Sequence, residues 1–405
     1  MIQSLRGMKD LLADESERYI YFVENCSKIA KNYGFSYVET PILEETALFK
    51  RSVGESSDIV GKEMYQFTDK GENDVCMRPE GTAGVVRAFI QKKYDKAKVQ
   101  KKFFYYGPMF RYERPQKGRL REFHQFGVES FNQPNIKEDA AIILMLKEIL
   151  EFFGIGYKLE LNSLGCTACM PPYKENLVNF LKNEDEICDD CKRRRDTNPI
   201  RVLDCKNQNC QDIYAKAPLL LDNLCPTCKG EFEQLKNILD DFDVNYTINP
   251  KLVRGLDYYN KTAFEFVSDD IGAQSAIAGG GRYDKLVEYL DGKPTTGIGF
   301  AMGIERLMEL IVMPKSKREG YYVGALCDEA LDISFKLATK MRKNKITTLN
   351  YDKKSLKAHL KNADKQNAKY CVCIGEDELK KDVLWIKDLE TKEEKSITQE
   401  ELLGR

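Results

Sequence analysis

Eight cysteines between residues 160 and 245 constrain the fold of this chain more than any other feature of its sequence. Three pairs among them have the CxxC spacing, in which a tight turn directs two thiolates at one zinc ion, and two further cysteines are spaced more widely. The eight are Cys166, Cys169, Cys188, Cys191, Cys205, Cys210, Cys225 and Cys228. We predict that they bind structural zinc, either as two four-thiolate sites or as one site with spare thiols. The alternative is a set of unpaired buried thiols.

Length, cysteine count and hydropathy favour a multidomain cytoplasmic protein. The 405 residues correspond to roughly two to four domains, and thirteen cysteines, an odd number, argue against a complete disulfide framework. No apolar run approaches the roughly 18 residues of a membrane span, and the N-terminus lacks the apolar core of a secretion signal. We therefore expect a reducing, cytoplasmic compartment and no membrane partner. Because the formal net charge is -1, any polyanion must be bound by local basic patches.

The periodicity of apolar residues predicts an α+β core built on an antiparallel sheet. Aromatic, β-rich runs at 101–110 and 123–131 flank a polar stretch, which predicts a long hairpin with an arginine-dense tip at Arg111–Arg121. Helices are expected at 15–33, 137–153 and 304–312, and further strands at 35–41, 75–78, 263–267, 272–278 and 297–300. The core therefore occupies 1–159 and 246–315, and the cysteine-rich segment at 160–245 is an insertion domain.

After a polar stretch at 313–320, the pattern changes to a small α/β domain at 320–405. Strands are predicted at 321–327, 345–349, 370–374 and 383–386, and helices at 331–342 and 355–363. Between Lys336 and Lys369 there are eleven Lys and Arg residues and two acidic ones. This excess of positive charge favours contact with a phosphate backbone, and a solvated, lysine-rich helix face is the alternative.

Side chains suited to chemistry are concentrated around the predicted hairpin. Arg111 ends its first strand, and Gln125 and Glu129 share one face of the returning strand because strand side chains alternate. A guanidinium binds phosphate or carboxylate through two parallel hydrogen bonds, and a nearby carboxylate and amide suit an amine or a ring N–H. The hairpin therefore predicts a fixed cation beside acceptors. A surface Arg/Glu ladder is the alternative.

Four further stretches have a similar character. They are Arg78-Pro-Glu-Gly-Thr82, Arg254-Gly-Leu-Asp-Tyr-Tyr259, Gly279-Gly-Gly-Arg-Tyr-Asp284 and Gly297–Arg306. The glycines of the third stretch let the backbone approach a flat or anionic group, whereas those of the fourth are also compatible with helix–sheet packing alone. His124 faces away from Gln125 on its strand and His359 lies in a basic helix, so we expect both histidines to be structural.

In this order, the stretches resemble the class II aminoacyl-tRNA synthetases and, within that class, the histidyl-tRNA synthetase family. The surroundings of Pro41 are similar to the first class motif, which helps to form the dimer interface in the family. Phe110-Arg-Tyr-Glu is similar to the second motif, and Gly297–Arg306 is similar to the third. The stretches at 254–259 and 279–284 resemble the two histidyl-specific signatures, and the tail resembles the anticodon-binding domain of the family. The zinc prediction is not part of this likeness and rests on cysteine spacing alone.

The resemblance implies a homodimeric enzyme that activates L-histidine with ATP and Mg2+ to histidyl-adenylate and transfers the histidyl group to the histidine tRNA. The implied catalytic residues are Arg111 and Arg254, which would stabilise charge as the substrate carboxylate attacks and pyrophosphate leaves. The implied histidine-binding residues are Glu80, Gly81, Thr82, Arg111, Gln125, Glu129, Arg254, Tyr258 and Tyr259. The implied ATP-binding residues are Arg111, Arg119 and Arg306. At the acceptor end of the tRNA, the resemblance implies Arg114 and Gln116.

Two other functions match parts of the same pattern. A histidyl-synthetase-like regulatory subunit of ATP phosphoribosyltransferase would share the core but would have no anticodon-binding domain. A zinc-containing nucleic-acid-binding protein with an inactive core would share the tail and the cysteines. The basic α/β tail and the presence of Arg111, Glu129, Arg254 and Arg306 favour the enzyme.

Overall fold

The computed structural model describes residues 2–54, 57–116, 118–182, 184–205, 207–271, 276–314 and 317–404. The chain forms two compact units, Met1–Val312 and Met313–Arg405. Among the described residues, no helix has both the length and the apolar character needed to cross a membrane.

The first unit contains a large sheet, a small sheet and helices that pack on them. Its strands are β1 Ser36–Tyr37, β2 Leu43–Glu45, β3 Gln66–Thr68, β4 Asp74–Met77, β5 Lys101–Phe110, β6 Glu122–Phe131, β7 Lys158–Ser163, β8 Tyr246–Ile248, β9 Asn260–Val267, β10 Ala276–Arg282 and β11 Gly297–Gly303. Its α-helices are α1 Asp14–Asn32, α2 Thr46–Val53, α3 Thr82–Gln91, α4 Tyr94–Ala97, α5 Ile136–Phe152, α6 Met170–Leu181, α7 Asp189–Thr197, α8 Gln208–Tyr214, α9 Pro226–Asp241, α10 Leu286–Tyr289 and α11 Ile304–Met308. Shorter helical segments lie at Ile59–Glu63, Pro199–Asp204, Leu220–Asn223 and Asp269–Ile271.

The large sheet has the strand order β1-β5-β6-β11-β10-β9-β7-β8. Its centre is antiparallel, as predicted, and the predicted hairpin is confirmed with a register that runs from Lys101 opposite Phe131 to Phe110 opposite Glu122. Both edge pairs, β1 with β5 and β7 with β8, are parallel instead. The small sheet has the order β2-β4-β3 and is antiparallel.

Several boundaries differ from the sequence predictions. The strand expected at 35–41 is reduced to the two residues of β1. The strand expected at 272–278 begins at Ala276, and residues 272–275 lie outside the described residues. The helix expected at 304–312 ends at Met308. These elements are short, and their ends are set by tertiary packing rather than by local periodicity.

The two faces of the large sheet are covered by different helices. On one face, Phe131 stacks on Phe89 of α3 with ring centroids 4.4 Å apart. On the other, His124 of β6 contacts Tyr19 of α1 edge-on at 5.0 Å, and the Ser130 hydroxyl donates to Glu138 of α5 at 2.8 Å. Alternation along β6 therefore assigns Gln125, Gly127 and Glu129 to the face of α3. This face carries the candidate active site.

The cysteine-rich insertion leaves the large sheet at the end of β7 and returns at β8. The predicted boundary at residue 160 lies inside β7, which continues to Ser163. Helix α9 brings the chain back and packs against α5. The insertion has its own buried cluster, which includes Tyr173, Leu177, Val202 and Tyr214.

The second unit is a five-stranded sheet with helices. Its elements are β12 Tyr321–Ala325, α12 Ala330–Met341, β13 Thr347–Leu349, α13 Leu356–Lys365, β14 Tyr370–Ile374, α14 Glu376–Lys381, β15 Leu384–Asp388, β16 Glu394–Ile397 and α15 Gln399–Leu403. The order β13-β12-β14-β15-β16 is parallel for the first three strands and antiparallel thereafter. His359 is fully buried between the Tyr322 hydroxyl and the Ala325 carbonyl, both 2.9 Å away, so its predicted structural role is supported.

Candidate active site and cysteine module

Glycines form the floor of the site on the sheet face that α3 covers. A Cβ atom at Gly127 would lie 2.4 Å from the Tyr105 ring, one at Gly299 would lie 2.2 Å from Glu129 Oε2, and one at Gly279 would lie 2.4 Å from the Arg254 guanidinium. Contacts this short are sterically forbidden, so these positions need hydrogen as their side chain. The glycines at 279–284 were expected to let the backbone approach a flat or anionic group. In the structure, the flat group against Gly279 is the guanidinium of Arg254.

A cavity of about 250 Å³ lies beside these glycines, and Gly279 is the one of the three that lines it. Nine of the predicted site residues line it: Glu80, Thr82, Arg111, Arg119, Gln125, Arg254, Tyr258, Tyr259 and Arg306. The structure therefore gathers residues that are as far apart in sequence as Glu80 and Arg306. Gly81, Arg114, Gln116 and Glu129 are not among the residues that line the cavity.

Three buried polar atoms on the cavity wall have no hydrogen-bond partner among the described residues. They are Gln125 Oε1, Arg254 Nε and the Tyr258 hydroxyl. Burial of an unpaired polar group costs about 1–3 kcal/mol. Their convergence on one cavity marks it as a binding site for a ligand that offers both donors and acceptors.

Glu129 lies behind the cavity wall in a network of hydroxyl groups. It is only 1% exposed and accepts hydrogen bonds from Thr82 Oγ1 at 2.7 Å, from the Tyr105 hydroxyl at 3.3 Å and from the Tyr283 hydroxyl. Burial raises the pKa of Glu129 from 4.5 to about 8, although the hydroxyl donors pull in the opposite direction. The free site therefore holds a carboxyl group that titrates near neutral pH.

Glu80 caps the N-terminus of α3. Its carboxylate accepts the backbone N–H of Thr82 at 2.7 Å and that of Ala83 at 2.9 Å. Burial raises the pKa of Glu80, and these two N–H groups lower it in part. Gly81 precedes the helix, and a Cβ there would lie 2.1 Å from the Tyr105 ring. Glu80, Gly81 and Thr82 thus form a fixed corner of the site at a helix N-terminus.

Arg254 is held at the edge of the floor by an acidic residue on β9. Its Nη1 forms a salt bridge with Glu265, which pairs with Gly279 across the two strands. Burial alone would lower the pKa of Arg254, but Glu265 and the neighbouring tyrosines raise it. The guanidinium is therefore a fixed cation whose Nε remains directed at the cavity.

Three further arginines line the same cavity. Arg111 Nε donates to the Pro79 carbonyl at 2.9 Å, and Arg119 pairs with Glu113 at 3.0 Å. Arg306 donates to the carbonyl groups of Gly118 and Ala276 at 2.9 and 2.8 Å. Backbone carbonyls fix Arg111 and Arg306 and a carboxylate fixes Arg119, as a phosphate-binding site requires.

The tip of the hairpin is closed by a backbone bridge. The amide of Gln116 donates to the carbonyl of Arg119 at 3.1 Å, and the amide of Arg119 donates in return at 2.9 Å. Arg114 and Gln116 are exposed. On the far side of β6, His124 Nδ1 lies 2.7 Å from Glu305, so this histidine fastens α11 to the strand, as expected for a structural residue.

The eight predicted metal ligands form two separate quartets. Cys166, Cys169, Cys225 and Cys228 make the first quartet, and Cys188, Cys191, Cys205 and Cys210 make the second. Within each quartet the Sγ atoms lie within 4.8 Å of one another, with closest pairs at 3.7 to 3.9 Å. Tetrahedral zinc with Zn–S bonds of about 2.3 Å requires S–S edges of about 3.8 Å. Both quartets therefore have the size of a zinc site.

Backbone N–H groups point at the sulfur atoms of both quartets. Cys225 N–H donates to Cys169 Sγ at 3.1 Å, and Cys188 N–H donates to Cys210 Sγ at 3.2 Å. Burial raises the pKa of the Cys166 thiol, but backbone N–H groups and neighbouring thiols outweigh it and leave the pKa at about 7. Such N–H···S bonds stabilise the thiolate form that binds metal.

Sequence reasoning missed the residues that hold the predicted ones in place. Glu265, Tyr105 and Tyr283 contact Arg254 or Glu129 but were not proposed as site residues. Glu265 carries a usable signal, since it is the only acid in the otherwise largely apolar strand β9. Tyr105 carries none, because aromatic residues are common in strands, whereas Tyr283 belongs to the 279–284 stretch that the sequence had already singled out.

Known proteins and family models match this chain along almost its whole length. A sequence model of histidyl-tRNA synthetases matches residues 7–307, and a model of an anticodon binding domain matches residues 309–405. The chain is 65% identical over 401 residues to the histidine–tRNA ligase of Sulfurimonas denitrificans, which covers 99% of this chain and 100% of the relative. It is 62% identical over 403 residues to the histidine–tRNA ligase of a Sulfurovum species, with 99% and 100% coverage. The apo histidyl-tRNA synthetase of S. aureus superimposes with a TM-score of 0.84 at 36% identity and covers 100% of this chain and 99% of that one.

Proposed function

The chain belongs to the histidyl-tRNA synthetase family, and on that premise we propose how its own residues ligate histidine to tRNA. The reaction consumes ATP with Mg2+ and proceeds through histidyl-adenylate. High identity to histidine–tRNA ligases over nearly the full length, including the anticodon-binding part, disfavours the alternative of a regulatory subunit of ATP phosphoribosyltransferase. One observation carries the assignment of the site: the unpaired buried atoms of Gln125, Arg254 and Tyr258 converge on one cavity.

Histidine is proposed to bind between the N-terminal corner of α3 and the glycine floor. Glu80, Gly81, Thr82 and Gln125 surround the α-amino group, since they supply a carboxylate and neutral acceptors. Tyr258 and Tyr259 line the imidazole pocket, and Glu129 reaches an imidazole nitrogen once the side chains of its network rearrange. A site that pairs both ring nitrogens leaves buried polar groups unpaired when an apolar side chain enters, so selection needs no editing step.

Arg111 and Arg254 are the proposed catalytic residues. Each is held by a second group, Arg111 by the Pro79 carbonyl and Arg254 by Glu265. When a carboxylate oxygen of histidine attacks the α-phosphorus of ATP, negative charge grows on the phosphoryl oxygens while the bond to pyrophosphate breaks. Cations already fixed in a desolvated cavity stabilise that charge without reorganisation.

The remaining arginines are proposed to bind ATP and tRNA. Arg119 and Arg306 contact the nucleotide, with Arg306 at adenine or the γ-phosphate, and Mg2+ would enter with ATP and neutralise part of its charge. Arg114 and Gln116 are exposed at the hairpin tip and contact the acceptor end of the histidine tRNA. The basic strip at Lys336–Lys369, mostly exposed, contacts the anticodon region.

Each cysteine quartet is proposed to bind one structural zinc ion. Four thiolates at tetrahedral spacing leave no open position for substrate, so the ion would cross-link the insertion, 160–245 in the sequence prediction, and take no part in the reaction. We expect two zinc ions per chain by elemental analysis of protein purified without chelators. Fewer than one ion per chain would contradict the assignment.

We further propose a cytoplasmic homodimer that assembles through the region of Pro41. Ile42 is 42% exposed, and Leu43 on β2 and Phe67 on β3 are 49% and 45% exposed. Apolar groups at the edge of a small sheet favour association with a second copy. Sedimentation should show a dimer, and Leu43→Asp should shift it towards monomer.

The proposed function is tested by histidine-dependent exchange of labelled pyrophosphate into ATP. The unmodified chain should support exchange with histidine and not with glutamine or phenylalanine. Arg254→Ala should lose exchange while its thermal unfolding midpoint is retained. Arg195→Ala is the matched control, since among the described residues the Arg195 side chain donates to the Leu181 carbonyl and pairs with Asp196, both within the insertion. Absence of exchange with the unmodified chain would refute the proposed function.

A further inference from the structure

The stretch that carries Arg254, Tyr258 and Tyr259 has no regular secondary structure. It lies between the insertion and β9, and its residues line the cavity from Arg254 to Tyr259 except for Asp257. An irregular segment has no ladder or helix to fix its backbone, so its position depends on side-chain contacts. Its middle is held by the insertion on one side and by the end of α2 on the other, where the Asp257 amide donates to the Val53 carbonyl at 3.4 Å.

The Arg201 side chain binds this segment at two residues. Its Nε lies 3.2 Å from Asp257 Oδ1, and its Nη2 donates to the Gly255 carbonyl at 2.5 Å. Asn198 adds a donor to the same Asp257 oxygen at 3.0 Å. The other carboxylate oxygen of Asp257 packs on Gly54, where a Cβ would approach to 2.5 Å. The turn is thus clamped between α2 and the insertion.

Arg201 is itself well fixed. Its side chain is only 14% exposed, and its carbonyl accepts from Arg194 at 3.3 Å. Arg194 also pairs with Asp58 of the core at 3.2 Å. The segment Pro199–Asp204 that carries Arg201 lies between Cys191 and Cys205 of the second quartet. The position of Arg201 therefore depends on the fold of the cysteine-rich insertion.

We propose that Arg201 is a positioning residue for histidine activation, which acts by holding the Gly255–Asp257 turn so that Arg254 and Tyr258 face the substrate. The inference rests on the proposed function and adds a role for the insertion in the activation step. The Arg254 guanidinium lies flat against Gly279, and its Nε is buried without a partner among the described residues. Gly255, the residue that follows Arg254, is one of the two residues that Arg201 binds. A guanidinium makes both contacts at once because its donors form a rigid fork, whereas an ammonium makes one of them.

The test compares Arg201→Ala, Arg201→Lys and the control Arg195→Ala in pyrophosphate exchange, with KM for histidine, KM for ATP and kcat measured separately. Arg201→Ala should raise KM for histidine and lower kcat, together by roughly 10- to 100-fold in kcat/KM, because a displacement of about 1 Å costs that much. The kcat/KM of Arg201→Lys should lie between those of Arg201→Ala and the unmodified enzyme, and that of Arg195→Ala should equal the unmodified value. KM for ATP should change by less than about threefold, since Arg119 and Arg306 are anchored elsewhere.

A double-mutant cycle with Asp257→Asn separates positioning from general destabilisation. If Arg201 acts through this turn, the double variant should be little worse than Arg201→Ala alone. A merely structural role would lower kcat in proportion to folded protein and leave both KM values unchanged, which would overturn the proposal. Additive losses in the cycle, or equal losses in Arg195→Ala, would overturn it too.

Should Arg201→Ala yield no folded protein, Asn198→Ala carries the same test, because it removes only the 3.0 Å contact to Asp257. It should raise KM for histidine by about threefold, in line with the loss of one hydrogen bond. An unchanged KM would count against the clamp. Failure of the unmodified chain to exchange pyrophosphate would instead reject the proposed function, so the two failures are distinguishable.

Discussion

Replacement of Glu129 by glutamine should change how the stability of the first unit depends on pH. Glu129 is 1% exposed, and burial raises its pKa from 4.5 to about 8. Between these two values the folded protein keeps a proton that the unfolded chain releases. Since the folded state binds more protons there, stability is greatest at low pH and is lost as pH rises through about 8.

The size of the effect follows from the two pKa values. Each pH unit within the window is worth at most about 1.4 kcal/mol, so between pH 5 and pH 8 the unfolding free energy contributed by Glu129 falls by about 3–4 kcal/mol. Glutamine does not titrate. The difference in unfolding free energy between the unmodified protein and Glu129→Gln should therefore shrink by about that amount over the same range.

The assay is equilibrium unfolding of both ligand-free proteins in urea at pH 5, 6, 7 and 8. Far-ultraviolet circular dichroism follows both units, whereas fluorescence of Trp385, the single tryptophan, follows the second unit. The Trp385 fluorescence is an internal control, and its change with urea and pH should be the same in both proteins. Parallel pH profiles of the first unit, with a difference constant to within about 0.5 kcal/mol, would refute the reasoning that Glu129 retains its proton near neutral pH.

Three further predictions follow from the described contacts. Arg306→Ala should raise KM for ATP at least about tenfold and change KM for histidine little, measured by pyrophosphate exchange, because its anchors lie at the nucleotide end. Asp139→Asn should destabilise the first unit by about 3 kcal/mol in urea unfolding, because it leaves Arg282, 2% exposed and 2.9 Å from Asp139, buried with only the longer ion pair to Asp284 at 3.3 Å; an effect below about 1 kcal/mol would contradict this. Removal of zinc with a mercurial reagent, followed by chelation, should release two ions per chain and raise KM for histidine, and readdition of zinc should restore it.

Local patterns in the sequence were sufficient for the hairpin and for α1. The strands β5 and β6 are long, aromatic and joined by a polar tip, so alternation placed Gln125 and Glu129 on one face, and the structure agrees. The parallel edge pairs were not predicted, because β7 and β8 are separated by the whole insertion and local periodicity carries no information about distant partners. The predicted antiparallel sheet is therefore correct only for its centre.

Because local patterns do not identify distant partners, the sequence predicted the residues of the site but not the contacts between them. Each predicted residue carries its own chemical signal, but its supporting partner comes from elsewhere in the chain. In the structure, Arg201 holds the Asp257 turn, whereas Arg254 pairs with Glu265. Which arginine meets which carboxylate depends on tertiary packing, which one sequence does not specify.

The first cysteine quartet joins the two ends of the insertion. Cys166 and Cys169 follow β7 directly, and Cys225 and Cys228 begin α9, the helix that returns the chain towards β8. A zinc ion there would close everything between into a ring in the folded protein, and its binding free energy would stabilise that closure. Insertions or deletions between Cys169 and Cys225 would then alter the ring without shifting β7 against β8. The length between could then vary only outside the second quartet and the segment that carries Arg201, because both depend on the fold of that part of the insertion.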